Sequence, residues 1–240
     1  MIDGLTAWNE RWASATDWQP LRVTATLRGA VAVPNGAIAL DSLLGAAVAS
    51  RFALPPPISP ELLLPIEVPV AKVGGIYQCS LGECEVEIHE HRWVNRRFPV
   101  QEAQNLAESK FRTIRISTGA CKSYRLPLDT VHLEHDAMTW WAIGDAAAIA
   151  DLLENHIHYL GKKRSVGLGA VTRWEVDVLP EPWPGFPVLR DGFPTRPLPL
   201  DWPGLSPEAE QAYRVLSPPY WRRDLEVLAA IPVRTVKRGT

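Results

Sequence analysis

Residues 145–178 constrain the fold more than any other stretch of the chain. Ile149, Leu152, Leu153, Ile157 and Leu160 recur at helical spacing, which predicts a helix over 146–160 capped by Asp145. Residues 171–178 (VTRWEVDV) read as a strand. Between the two lies YLGKKRSVGLG (159–169), with Lys162, Lys163, Arg164 and Ser165 followed by Gly167 and Gly169. Glycine has no Cβ, so such a turn can take positive φ and lie close to a ligand. Amides exposed there beside cations suit a phosphate chain. A second reading stays open, in which Gly161 closes the helix and the lysines are merely solvated.

Charge is segregated along the chain. The 240 residues carry a net charge of -2. Residues 91–125 hold 8 basic side chains against 2 acidic, 126–158 hold 6 acids and no Lys or Arg, and 159–173 hold 4 cations and no acid. That pattern makes local basic fields on a nearly neutral molecule. It argues against a roaming nucleic-acid binder, which is usually basic throughout, and fits a subunit with one polyanion track. No run of about 18 apolar residues is present, so no membrane span is expected. The start, MIDGLTAWNERW, does not read as a signal peptide, and an odd count of 3 cysteines favours a reducing cytoplasm over a disulfide framework.

In chain order, residues 1–20 suggest a short helix or docking arm with Trp8, Trp12 and Trp18. Residues 21–28 alternate as a half-buried strand. Asp41 is expected to cap an Ala-rich helix ending near Phe52, and strands or a hairpin are expected at 66–73 and 75–81 about Gly74 and Gly75. Residues 83–137 form a basic insertion without a clear period; a polar loop or short helix is expected near 101–109 and alternation at 111–116. The run TWWAI (139–143) is a short apolar strand whose tryptophans divide between core and interface. The order strand, helix, strands, insertion, strand, helix, glycine loop, strand is βαββαβ, an α+β, ferredoxin-like (RRM-like) unit over 1–179. From 180 to 240 the chain holds 12 of its 22 prolines, which predicts an extended docking strap pinned by Trp183, Phe186, Phe193, Trp202, Tyr220 and Trp221. Residues 183–202 are expected on the body and 217–224 on a partner.

The early strand with LDSLLGAAVA (40–49), KSYRLPL (122–128), WWAIGDAAAIADLLENHIHYLGKKRSVGLGAV (140–171), DGFPTRPLPL (191–200) and SPPYW (217–221) together resemble the RAMP proteins of CRISPR systems. More narrowly, they resemble the small RAMP subunit of type IV effector complexes. The resemblance implies a non-catalytic subunit that grips the crRNA 5′ handle, caps a filament of backbone RAMP subunits, needs no cofactor and meets target DNA only indirectly. It implies that Lys162, Lys163, Arg164, Ser165 and the amides around Gly167 and Gly169 hold phosphates. Lys122, Tyr124 and Arg125 would lie on the same track, with Tyr124 stacking a splayed base. Arg92, Arg96, Arg97, Arg112 and Arg115 are candidates from charge, the insertion 83–137 serving as a possible thumb.

Two other chemistries are open to these residues. RNA cleavage needs a general base, for which His89, His91, His132, His135, His156 and His158 are available, though no pair is marked by spacing. Zinc would draw on Cys79, Cys84, His89, His91 and the distant Cys121, but Cys79 sits in an apolar run that favours a core residue. No Walker loop, Rossmann fingerprint, G-x-S-x-G elbow or H-E-x-x-H occurs. An adaptor whose basic patches meet acidic protein surfaces is the remaining alternative.

Overall fold

In the computed structural model, which describes residues 2–33, 38–55, 64–98, 117 and 122–232, the alternation at the first strand becomes β1 (Gln19–Arg28). Its Leu21, Val23, Ala25 and Leu27 face the core, while Arg22, Thr24 and Thr26 face outward. The first helix, α1 (Ile2–Ala13), packs Leu5 and Trp8 against the core, with Trp8 edge-on to both Phe52 and Trp12. After β1 come α2 (Leu40–Arg51) and a minimal hairpin of β2 (Lys72–Val73) and β3 (Ile76–Tyr77). Thus only two rungs of the expected 66–81 hairpin form. The chain beyond it, 78–83, runs along β6 (Ala137–Gly144) through bridges at Cys79–Ala142 and Glu83–Thr139.

β6 and β7 (Ala170–Val178) flank β1 antiparallel, with Val23 opposite both Trp140 and Val176. The order 78–83, β6, β1, β7, with α2 and α3 (Ala146–His156) packed together, is compatible with the expected ferredoxin-like unit within a mixed α+β chain. Trp140 is wholly buried beside Trp174 and donates its indole N–H to the Ile38 carbonyl at 2.8 Å. Trp141 takes the opposite face, under Trp183 and Phe186 of the C-terminal extension. Successive strand residues had to separate in this way.

Asp145 caps α3 by accepting from the Ala148 amide, as its position predicted, although the helix ends at His156 and not at 160. Asp41 does not cap α2. Ala39 occupies that place without a side-chain bond, and Asp41 turns inward, 1% exposed. There its Oδ2 accepts from Arg196 Nη2 at 3.0 Å and from the Tyr220 hydroxyl at 2.7 Å. Arg196, also 1% exposed, further donates to the carbonyls of Tyr77, Cys79 and Leu216. Burial opposes its charge, yet the Asp41 carboxylate prevails and holds its pKa above the ordinary arginine value.

The insertion corrects a second expectation. β4 (Val86–Arg96) and β5 (Tyr124–Leu133) pair as a long antiparallel ribbon where no period was seen. Both of its faces are largely solvated, so no apolar alternation marks it. The expectations for 101–109 and 111–116, with Arg112, Arg115 and Cys121, lie outside the described residues.

The extension also departs from its expectation, because it forms ladders. β8 (Leu189–Arg190) pairs with β9 (Phe193–Pro194), and β12 (Val227–Ala230) lies between β10 (Leu198–Pro199) and β11 (Gln211–Arg214). Pro199 is tolerated since β10 is an edge strand. Val188, Leu189 and Leu198 bury Ile76, and the Leu81 amide donates to Thr195. Ser217 and Tyr220, expected on a partner, bond Gly75 and Asp41 of the same chain.

Removing one member of a buried ion pair strands the other, at a cost of about 3–5 kcal/mol. Asp41→Ala is therefore expected to lower the urea-unfolding free energy by about that much, and Tyr220→Phe by about 1–3 kcal/mol. A change below about 0.5 kcal/mol for Asp41→Ala would show that the pair does not hold the extension.

Candidate nucleic-acid interface

The glycine turn is held by backbone bonds on both sides. Leu160 donates to Gly169, Gly169 to Ala30 and Lys162 to Ala32, each within 2.9 Å. A methyl group at 161 would lie 2.3 Å from the Ala32 carbonyl oxygen, and one at 169 would lie 2.1 Å from that of Leu160. Those two positions thus need glycine for close packing of chain against chain. Gly167 differs: it closes the 3-10 turn Arg164–Val166 at φ +86°, with nothing within 4 Å of where a Cβ would stand. The amides of Gly167 and Gly169 donate to Arg164 and Ala30, so the groups left for a ligand here are chiefly side chains.

Lys163 carries a Cβ yet sits in the left-handed region at φ 59°, a conformation that costs of order 1–2 kcal/mol. There its ammonium lies 5.6 Å from the centre of the Tyr124 ring. Tyr124 opens β5 and stands opposite Arg96 on β4. The ribbon is docked to the turn by Leu128, which packs on Ala30, Ala32 and Leu168, and by paired bonds between Val31 and Val131. A groove of about 310 Å³ at the ribbon's far end is lined by Asn95, Arg96, Arg97, Ser123, Tyr124 and Arg125. Lys162, Arg164, Ser165 and Lys122 are all exposed. Among the described residues, Lys122, Lys162, Lys163 and Arg164 have no carboxylate partner.

The structure thus brings Lys163, Tyr124 and Arg96 together and lines one groove with Arg96, Arg97 and Arg125. It also adds Trp93, which the sequence reading passed over. Its indole is 55% exposed, with the Arg125 guanidinium 4.4 Å from its centre. The signal was present in HRWVNRR, where an aromatic is interleaved with cations.

The histidines are scattered. His91 Nδ1 pairs with Asp129 on the ribbon, His132 lies 3.7 Å from Glu90, and His135 lies 3.8 Å from Glu134. Arg92 bonds Glu90 and keeps that carboxyl below its usual range, so Arg92 is engaged within the ribbon. Among the described residues no group of His, Cys, Asp or Glu is arranged to hold a metal. Cys79 is fully buried, and burial pushes its thiol up to about 12. Among the described residues no helix is long and apolar enough to cross a membrane.

The two kinds of glycine should separate experimentally. Gly161→Ala and Gly169→Ala should each destabilise the chain in urea by more than Gly167→Ala, which should cost only about 1 kcal/mol for its left-handed backbone. Equal losses at all three positions would contradict the packing described for 161 and 169.

Compared with known families, residues 86–232 match the model described as CRISPR type IV associated protein Csf3. That span covers over half of the chain and contains the ribbon, the glycine turn and most of the extension. A search of curated proteins gave no match.

Proposed function

The chain belongs to the Csf3 family of CRISPR type IV associated proteins, and on that premise we propose that it is a RAMP-type subunit that binds the 5′ handle of the crRNA. As a type IV CRISPR component it associates with other subunits of the complex. In the proposed reading those include the backbone RAMP filament, which it caps, while target DNA is met only through the assembly. The observation that carries the proposal is the meeting of Lys163 with Tyr124 between the turn and the ribbon. Cations without carboxylate partners beside an aromatic ring suit single-stranded RNA, whose phosphates need charge and whose bases need a surface to stack on. Lys162, Lys163, Arg164 and Lys122 would meet phosphates, as would Arg96, Arg97 and Arg125 in the groove. Ser165 and Gly167 would let the backbone approach, and Trp93 with Arg125 would offer a second stacking surface.

No catalytic role is assigned in this reading. One observation favours the rival, a RAMP endoribonuclease: Asp129 orients an exposed His91 two residues from Trp93 on the same strand face. Incubation of purified protein with repeat RNA decides between them. Intact RNA is the expected outcome; shortening that disappears in His91→Ala would establish the enzyme.

Substituting Lys162, Lys163 and Arg164 together by Ala is expected to weaken guide-RNA binding. It should also flatten the slope of log K against log salt by about 2, near 0.7 for each lost phosphate contact. An unchanged slope would remove the turn from the RNA track. Tyr124→Ala should cost about 1–3 kcal/mol of binding, with Tyr124→Phe close to wild type. Equal losses for the two would assign the effect to the hydroxyl.

A further inference from the structure

The two stalks of the glycine turn carry a row of residues that neither the turn nor the ribbon accounts for. Tyr159, on the incoming stalk, stands opposite Ala170 on the outgoing one, and Ala170 stands opposite Arg28 at the end of β1. The Val171 amide donates to the His158 carbonyl and the Leu160 amide to that of Gly169, so Tyr159 and Ala170 form the close, non-hydrogen-bonded kind of pair. Residues directly opposite in antiparallel strands share a face. For this row it is the face turned away from the core. Leu27 and Leu160, next in sequence, are buried, whereas Arg28 and Tyr159 are exposed. The C-terminal extension covers the same sheet face only at its other end, over Trp141 opposite Arg22.

The row has a gap at its centre. Adjacent strands lie about 4.8 Å apart, so Arg28 and Tyr159 stand about 10 Å from each other with only the methyl group of Ala170 between them. A planar ring held on both faces needs its neighbours about 7 Å apart, twice the ~3.5 Å contact distance between carbon atoms. Long side chains rising on either side of a methyl floor can close to that separation. Among the described residues no ring and no cation lies over Tyr159, unlike Tyr124 beside Lys163 and Trp93 beside Arg125. Charge singles out Arg28 as well. Arg22 and Arg173 on the same sheet face are paired with Asp177 and Glu175, but Arg28 has no carboxylate partner among the described residues. An unneutralised guanidinium and an uncovered phenol ring, with no bulk between them, suit a flat aromatic group attached to negative charge. An unpaired nucleobase is such a group, since it stacks on aromatic rings and on guanidinium planes alike. An apolar protein side chain would instead take Arg28 out of water without giving it an acceptor.

We propose that Tyr159, Ala170 and Arg28 form a slot that takes one unpaired base of the RNA whose phosphates meet the turn. The slot rests on the RNA-binding reading and extends it to a new place: the open face of the sheet, beside Lys162, Lys163 and Arg164 and apart from the stacking surfaces of the ribbon.

The test uses the full chain and guide RNA carrying 2-aminopurine at successive positions of its unpaired 5′ region. Stacking quenches this base. At one position the wild-type protein should quench it, Tyr159→Ala should abolish the quenching, and Tyr124→Ala should leave it. Ala170→Leu, which keeps both walls and fills the gap, should abolish the same quenching. Tyr159→Ala and Ala170→Leu should each bind guide RNA about 5- to 100-fold more weakly. Their slope of log K against log salt should keep its wild-type value, because no phosphate contact is lost. Arg28→Lys, which keeps the charge but not the plane, should weaken binding at that same slope, and Tyr159→Phe should match wild type. If Ala170→Leu lowers the melting temperature, Tyr159→Ala against Tyr159→Phe decides alone. Wild-type affinity in Tyr159→Ala or Arg28→Lys, or no position whose quenching depends on Tyr159, would overturn the slot and leave the RNA reading standing. A wild-type chain that binds no guide RNA would overturn both.

Discussion

The ion pair of Asp41 with Arg196 is the buried charged contact that fixes the C-terminal extension to the body of the chain. The two residues are 155 positions apart and both are withdrawn from water. Removing a carboxylate and a guanidinium from solvent costs several kcal/mol each, a cost offset only if the remaining hydrogen-bonding groups also find partners. Here most do. Arg196 Nη1 and Nη2 reach the Tyr77, Cys79 and Leu216 carbonyls, and the Tyr220 hydroxyl donates to Asp41, leaving only Arg196 Nε without an acceptor. Such a network is weak evidence for net stability and stronger evidence for a single arrangement, because any displacement of the extension would leave a buried charge exposed to apolar surroundings.

That arrangement solves a problem of the sheet. The run 78–83 joins β6 by bridges and not by a full ladder, so its outer side would present unpaired backbone groups. Residues 188–196 lie along this side. Thr195 accepts from Leu81, Arg196 binds the carbonyls of Tyr77 and Cys79, and Arg190 pairs with Glu83 while lying 4.5 Å from the Trp183 ring. The extension therefore closes this edge of the sheet.

How far the sequence foretold these features depended on how local their causes are. Asp145 was legible as a cap because the acceptor and the Ala148 amide are three residues apart. Asp41 bears the same signature before the same kind of apolar run, and its side chain goes elsewhere because Arg196 competes for it from the far end of the chain. The ribbon was illegible for a different reason: strands reveal themselves by burying one face, and β4 and β5 bury neither along most of their length. Of the candidate site, Lys163 and Tyr124 were each singled out beforehand, but their meeting depends on Leu128 and Val131 docking the ribbon, which no local pattern encodes. Gly167 and Gly169 were read as allowing close approach to a ligand and Gly161 as closing the helix, yet at 161 and 169 what approaches is the chain's own backbone.

The buried network and the basic surface bear on each other through rigidity. Cations gathered without acidic partners repel one another, and a mobile loop would relieve the repulsion by spreading them apart. Here Gly169 and Lys162 tie the turn to Ala30 and Ala32 immediately beyond β1, and the ribbon is bonded to Val31 between them. The cations are thus attached to the end of the central strand of the sheet, whose opposite flank is closed by the extension. A ligand that neutralises them gains the relieved repulsion without having to order the groups that bind it, which is the advantage of a preorganised site over a flexible basic tail. The same rigidity explains why Lys163 can be held in a left-handed conformation at the point nearest Tyr124. Such strain persists only where surrounding structure over-determines it, and here backbone bonds on both sides of the turn do so.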